Sequence, residues 1–452
     1  MRFDNQLRHA TRIIETYHGD QPLHLWLKDF FRANRQMGSR DRKELSALAY
    51  SFYRLGHSLR GLPVPDRLLA GLFICTDRSN DLLQHFQPAW NEKIALPIQE
   101  KIAFFQTQPA GADFRITDIF PWKDELSETI DHESFCLSFL RQPDLFIRIR
   151  PGHEQAVREK LASPAGAATT PQFEFIPPTT IRLPNGFPIE DYFTPDREIV
   201  IQDYSSQKIA DYLKVSKDPE FFWDTCAASG GKSILAHDLY PDLHITASDI
   251  RASILKNLRS RFAAAGIHRY ITFLADLSIQ PPPAGAAGAD LILVDVPCTG
   301  SGTWSRTPEN LYFFDPRTIA LYHDRQRRIL GNIAQHLAPD ATLVYCTCSV
   351  FKKENEEIRE WIRSTLDLRQ DITGTLIGYP QRADTLFAAR FTRQPPDSPT
   401  SRLIHPLAPD SPANRPIHPS PPRARAAGTN YDPRSTSSAR IRSYTRPGFH
   451  PE

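Results

Sequence analysis

Apolar residues recur at helical spacing from Leu7 to about Gln106, as in Leu23, Leu27, Phe30 and Phe31 and then Leu45, Leu48, Tyr53 and Leu55. That period predicts an all-helical amino-terminal region. Ser39, in MGSRDRKE (37–44), is the expected N-cap of one of these helices, and its Arg and Lys neighbours form either a solvated face or a phosphate contact. From 143 to 201 the pattern changes to short alternating runs, LFIRIRP, FEFIP, TTIRL and EIVIQD, with one helical stretch over 154–161. A small α+β module follows from that mixture. Next, strand-like FFWDTC, HITASDI, ITFLAD, ADLILVD and TLVYCT alternate with helix-like stretches over 232–239, 252–265 and 317–337. This is the rhythm of a doubly wound parallel sheet, with TLFAARF (385–391) as a further strand at its edge. Beyond residue 394 the chain becomes rich in Pro, Ser and Arg and poor in large apolar residues, so disorder is expected. The division expected is therefore 1–135 helical, 140–202 small α+β module, 203–393 α/β domain and 394–452 disordered tail.

Composition narrows the class. At 452 residues and 40% hydrophobic content the chain can bury a large core. Lys+Arg 54 against Asp+Glu 52 leaves a net charge of +2, so any polyanion surface must come from local clustering. The six cysteines lack disulfide-framework spacing, no basic-then-apolar leader opens the chain, and no run approaches the ~20 apolar residues of a membrane span. A reduced, cytoplasmic, monomeric protein is expected. Each cysteine is then a small buried hydrophobe or a reactive group, and Cys75 and Cys136, which sit in no polar motif, are expected to fill core.

Candidate chemistry gathers where the expected strands end. After FFWDT comes CAASGGKS (226–233), in which Gly230 and Gly231 let the backbone approach a ligand and the next helix offers unpaired N–H groups. The segment Cys226, Ala227, Ala228, Ser229, Gly230, Gly231 and Lys232 reads as a cofactor cradle. It is not the phosphate-binding G-x-x-x-x-G-K-[ST] loop, because the first glycine is missing. Asp249 ends the second strand, about 20 residues on, where an acid accepts from ribose hydroxyls. Asp276, after the third, either accepts from an exocyclic amine or caps the next turn. Cys298 in VDVPCTG (294–300) and Cys348 in YCTCSV (345–350) each follow a strand-like run, which projects two thiols into the crevice of an open α/β sheet and suggests paired covalent and release roles.

Taken together, Asp224, the glycines, Asp249, Asp276 and Asp295 at successive strand ends resemble S-adenosylmethionine-dependent methyltransferases with a Rossmann-like sheet. DVPCTGSG (295–302) with TCS (347–349) is similar to the Nop/Sun family of RNA cytosine-5 methyltransferases. IVIQDYSSQ (199–207), SRTPEN (305–310) and KKENEE (352–357) extend that resemblance over about 143–393, and the helical region with GSRDRK resembles the NusB-like extension of bacterial members that modify small-subunit ribosomal RNA. One departure stands out: Ser229 occupies the position of a family proline, which loosens the cradle slightly.

The resemblance implies S-adenosylmethionine as cofactor, RNA as partner, and Cys348 as the nucleophile that attacks carbon 6 of cytosine to activate carbon 5. A free thiol has a pKa of about 8.5, so Cys348 needs help to ionise. Asp295 then meets the pyrimidine at nitrogen 3, Lys232 orients Asp295, and Cys298 is suited by position to assist release. Cys346 and Cys226 are expected to be buried, and no metal is assigned. A base-stacking aromatic is expected among Tyr204, Trp304, Tyr312 and Phe313, with Arg306 near the substrate. Ribosomal RNA is favoured over tRNA by the helical region alone. DNA cytosine-5 enzymes attack with the single cysteine of their Pro-Cys, so the second cysteine in TCS favours RNA. A silent RNA-binding assembly factor would have eroded Asp295, Cys298 or Cys348, and all three are intact.

Overall fold

Alternation along the central strands sends successive side chains into two separate cores, one on each face of a sheet. The computed structural model describes residues 3–162, 173–283, 288–366 and 368–393; the tail expected to be disordered lies outside the described residues.

The amino-terminal region is helical as its periodicity predicts, with Phe3–Thr16, Leu23–Ala33, Ser39–Arg54, Val64–Cys75 and Ile98–Gln106 among its helices. Ala10, Ile13, Leu27, Leu45, Leu48 and Phe52 point into one shared core. Ser39 is not the cap. It is the first helical residue, Gly38 takes the N-cap position, and the Asp41 carboxylate accepts from the Gly38 N–H at 3.1 Å. Arg40 pairs with Glu44 on the exposed face, so this basic cluster is a solvated surface.

Four short strands form the module: β1 (Leu145–Ile149), β2 (Glu174–Ile176), β3 (Thr180–Leu183) and β4 (Ile199–Ile201). They pair antiparallel in the order β2-β3-β1-β4, and the helix Glu154–Ala162 closes a core of Ile147, Ile149, Val157, Leu161 and Ile181. The module is braced to the next domain by charge. Asp238 accepts from Arg148 Nη1 at 2.6 Å and from Arg150 Nη2 at 2.7 Å, all three side chains being nearly buried.

The large sheet has seven strands: β5 (Phe221–Asp224), β6 (His244–Asp249), β7 (Tyr270–Leu274), β8 (Leu291–Asp295), β9 (Thr342–Thr347), β10 (Leu368–Leu376) and β11 (Leu386–Arg393), in the order β10-β11-β9-β8-β5-β6-β7. Strands β5 to β9 are parallel to one another, whereas β11 runs antiparallel to both β9 and β10. The doubly wound parallel sheet expected from sequence thus carries an antiparallel hairpin at one edge, the expected edge strand TLFAARF being part of it. Phe222, Ile245, Leu293 and Val344 face the helices Gly231–Leu239 and Ala252–Ala265, while Trp223, Ile292, Val294, Leu343 and Tyr345 face Arg317–Ala334 and Glu356–Thr365. Both faces are covered, which is why these strands read as continuous apolar runs.

The helical region is seated on the segment that follows β8 and on the one that follows β9. Trp304, Leu311, Phe314, Val350 and Phe351 belong to its core, and Phe313 lies edge-on to Tyr17 at 5.6 Å. Arg67, almost wholly buried, stacks over Phe52 at 4.2 Å and Tyr312 at 5.0 Å. Arg306 ties three segments: its guanidinium donates to Asp203 at 2.7 Å, to Asp384 at 2.8 Å and to the Asp144 carbonyl at 3.2 Å. Among the described residues no helix is long and apolar enough to cross a membrane.

Removing Asp238 strands two buried guanidinium groups, so Asp238→Ala should lower unfolding stability by about 3–5 kcal/mol. The triple variant that also carries Arg148→Met and Arg150→Met should recover most of that loss. Denaturant midpoints of the two proteins check it.

Candidate active site

The chain winds β5, β6 and β7 outward on one side of β5, then returns to place β8 and β9 on the other. A crevice opens at the carboxyl ends of strands where the winding reverses, between β5 and β8. Asp224 and Asp295 end those two strands.

The cradle is bent by Ala228 at φ 46° and Gly230 at φ 84°. A Cβ on Gly230 would also lie 2.8 Å from the Phe262 ring, so glycine is required for both reasons. Asp224 is buried; its Oδ2 accepts from Ser233 Oγ at 2.7 Å while its Oδ1 is buried without a partner. Burial pushes its carboxyl up to about 7. Ser229, where a proline was expected, is held from outside the loop. Arg261 donates to its hydroxyl at 2.9 Å and its carbonyl at 3.2 Å, and Arg261 is itself clamped by Asp196. The loosening expected of the missing proline is therefore countered by a side chain from the helix Ala252–Ala265.

Asp249 and Asp276 are both engaged. Asp249 Oδ1 accepts from the Arg251 N–H at 2.9 Å and Nε at 3.0 Å, and Oδ2 from the Ala228 N–H at 3.1 Å and Arg251 Nη2 at 3.2 Å. These four donors use the carboxylate's full acceptor capacity, so a further hydroxyl must displace Arg251. Asp276 accepts from the Ser278 N–H at 3.0 Å and from its hydroxyl, the turn-capping reading of the two left open.

On the other side of the crevice, Lys232 Nζ donates to Asp295 Oδ2 at 2.7 Å, the contact expected of it. Burial works against the ammonium charge, but the surrounding groups, led by the charge of Asp295, together hold the Lys232 pKa above its ordinary value. The Sγ atoms of Cys298 and Cys348 lie 3.3 Å apart. The hydrogen bond with Cys348, followed by burial, raises the Cys298 thiol well above the ordinary range. Cys346 is fully buried and burial raises it too, as it does Cys226. Gly302 makes the thiol loops meet: its N–H donates to the Cys348 carbonyl at 2.9 Å, and any Cβ would fall 1.9 Å from the Thr385 carbonyl oxygen. Two adjacent thiols beside an ammonium–carboxylate pair can perform nucleophilic attack and proton transfer together. Among the described residues no cluster of His, Cys, Asp or Glu is arranged to hold a metal.

Residues 211–391 match the family model described as 16S rRNA methyltransferase RsmB/F. Over that stretch, two fifths of its length, the chain is similar to the RsmB/F family. Ribosomal RNA small subunit methyltransferase B of Klebsiella pneumoniae (strain 342) is 27% identical over 290 residues, 60% of this chain and 63% of that protein. The protein of the same description from Escherichia coli O157:H7 (strain EC4115 / EHEC) is 29% identical over 240 residues, 52% of this chain and 54% of its own length. The chain thus spans less than two thirds of these curated relatives. The crystal structure of PH0851 shares the fold with a TM-score of 0.58 at 19% identity, covering 84% of this chain and 96% of that one.

Around the crevice the aromatic candidates separate. Trp304 is buried, and Tyr312 and Phe313 pack against Tyr53 and Tyr17 of the helical region, so all three serve that interface. Tyr204 stacks on Phe146 at 5.7 Å and is half-buried. Arg306, expected near the substrate, is the brace described above. Two residues of the α/β domain escaped notice within KKENEE: Glu354 and Asn355 are wholly buried. Asn355 accepts from Thr347 Oγ1 at 2.6 Å and donates to the Ser349 carbonyl at 2.9 Å, and Glu354 receives the loops of both cysteines. A run of charged residues reads as a solvated face, and only the asparagine within it departs from that pattern.

Since the Asp224 carboxyl lies at about 7 when folded and near 3.8 unfolded, the folded state binds the proton more tightly and loses stability as pH rises between those values. Asp224→Asn removes this loss. The melting temperature of the variant relative to wild type should therefore climb from pH 4.5 to pH 7.5, on the order of a few kcal/mol in stability.

Proposed function

We propose that the protein methylates carbon 5 of a cytosine in 16S ribosomal RNA, in the cytoplasm, with S-adenosylmethionine as donor and Cys348 as covalent nucleophile. The observation that carries the reading is the Cys298–Cys348 pair, 3.3 Å apart, beside Lys232–Asp295 at the switch point of the sheet. The RsmB/F match and the names of the curated relatives support RNA as the substrate class and small-subunit ribosomal RNA within it. The expected division into helical domain, module and Rossmann-like domain gives the helical region the task of selecting that RNA.

The cradle suits the donor. Asp224 presents a buried oxygen without a partner, residues 226–232 bend around the crevice, and Asp249 offers ribose hydroxyls an acceptor once Arg251 leaves. When bound, S-adenosylmethionine supplies an electrophilic methyl group. The remaining steps belong to side chains of this chain. Thiolate Cys348 adds to carbon 6 of the pyrimidine and pushes electrons toward carbon 5. Negative charge at the pyrimidine is met by Asp295 and the Lys232 ammonium bonded to it, the ammonium being the proton donor of that pair. Bonding to carbon 6 removes the Cys348 charge and hydrogen bond that hold the Cys298 proton, so Cys298 yields that proton to solvent. It then takes the carbon 5 proton as the carbon 6–sulfur bond breaks and Cys348 leaves as thiolate, restoring the ring double bond.

Wild type, Cys298→Ala and Cys348→Ala, each incubated with ribosomal RNA and the methyl donor, test this together. Wild type should yield 5-methylcytosine at one ribosomal site. Cys298→Ala should accumulate a covalent RNA adduct visible on denaturing gels, and Cys348→Ala neither adduct nor product. Modified tRNA in place of ribosomal RNA would overturn the substrate, and adducts from Cys348→Ala would reverse the two roles. Arg251→Ala should tighten donor binding about twofold to fivefold in calorimetry, the worth of one partly exposed ion pair.

A further inference from the structure

Glu354 is a wholly buried acid beside the thiol pair that the methylation chemistry leaves unused. Its Oε1 accepts from the Thr299 N–H at 2.9 Å and from Gln326 Nε2 at 3.2 Å, and its Oε2 from Thr299 Oγ1 at 2.6 Å and from Ser349 Oγ. Thr299 follows Cys298 and Ser349 follows Cys348, so one carboxylate holds the residue next to each thiol. Burial raises the Glu354 carboxyl above its ordinary value, and these four hydrogen bonds, which fill the acceptor capacity of an ionised carboxylate, oppose that rise. The seat is rigid as well: the Glu354 carbonyl accepts from Tyr345 OH at 2.6 Å, and Gln326 also donates to the Pro297 carbonyl at 3.1 Å.

Two thiolates 3.3 Å apart repel, so the pair retains one proton, and the charges on either side decide which sulfur keeps it. Near Cys348 stands the Lys232 ammonium: burial opposes its charge, but the Asp295 carboxylate bonded to it helps hold its proton. Cys298 meets the Glu354 carboxylate instead, whose charge adds to the Cys348 hydrogen bond and to burial in retaining the proton, against the Gly300 N–H. The other ionisable groups facing the pair are Asp295, bonded to Lys232, and Cys346 and Tyr345, which burial keeps neutral.

We propose that Glu354 is a positioning residue that spaces the two thiol loops and makes Cys348 the more reactive of the two sulfurs. The inference deepens the methylation reading and rests on it only for what the thiolate attacks. It predicts an order of reactivity in the free enzyme. Trace iodoacetamide labelling of the full chain, without RNA or methyl donor, followed by mass spectrometry across pH 6 to 10, reads the two thiols separately. Wild type should label Cys348 ahead of Cys298. Glu354→Gln keeps the shape and removes the charge, and the Cys348-to-Cys298 labelling ratio at pH 7.5 should fall about tenfold, the change that one pKa unit represents. Glu354→Asp, still charged, should keep Cys348 ahead. A merely structural glutamate would lower the melting temperature of both variants and leave the ratio alone. The proposal is overturned by a wild-type ratio in Glu354→Gln, by Cys298 labelling first in wild type or, should the Gln variant not fold, by loss of the order in Glu354→Asp. Because labelling uses neither substrate, an enzyme inactive on every RNA would sink the methylation reading and leave this result readable.

Discussion

The parallel ladder between β8 and β9 is the constraint on which the site depends. It sets Asp295 opposite Cys346, so the chain leaves both strands at the same level and two loops separated by some fifty residues in sequence emerge side by side. A slip of one residue would turn every side chain of β9 to the opposite face, send Tyr345 into the wrong core and draw the two sulfurs apart. Register is secured by burial: Leu291 to Val294 and Thr342 to Cys346 are buried on both faces of the sheet, with no exposed face to tolerate an alternative. The close approach at Gly302 then locks the loops to one another above the ladder.

Two kinds of order meet around that ladder. Apolar packing builds the platform, whereas buried charge joins the parts. Asp238 with Arg148 and Arg150 joins module to cofactor helix, Asp196 with Arg261 joins the module to the cradle, and Arg306 with Asp203 and Asp384 joins the thiol loop to the hairpin turn. Such pairs add little net stability over apolar contacts of the same shape, but each specifies a single geometry because a misplaced partner leaves a buried charge unmet. The cradle and the thiols are thereby held against one frame.

Much of this was legible in the residues. The helix Ala252–Ala265 announces itself through Ile254, Leu255, Leu258 and Phe262, and β8 and β9 through unbroken apolar runs ending in Asp295 and the TCS motif. β10 escaped because LRQDITGTL is a half-exposed edge with a central glycine and no clear period. The helix Glu356–Thr365 was hidden behind the acidic start of its own first turn. What sequence could not supply was partnership: that Arg251 occupies Asp249, that Arg261 replaces a proline's stiffness, or that Trp304, Tyr312 and Phe313 face the helical region instead of a base. An aromatic side chain has the same composition in a core as on a stacking platform, and only the neighbours brought by the fold distinguish them.

The seating of the helical region has a consequence for inheritance. Trp304, Leu311, Phe314, Val350 and Phe351 are contributed by the segments that also carry the two thiols, and Phe313 abuts Gly19 so closely that a Cβ there would lie 2.6 Å from its ring. A lineage that exchanged this helical region for another would uncover an aromatic face beside the two thiols, and would have to rewrite residues 301–314 and 350–351 in the same event. The helical region and the thiol loops are consequently bound to descend as one unit, although they read along the chain as separate modules.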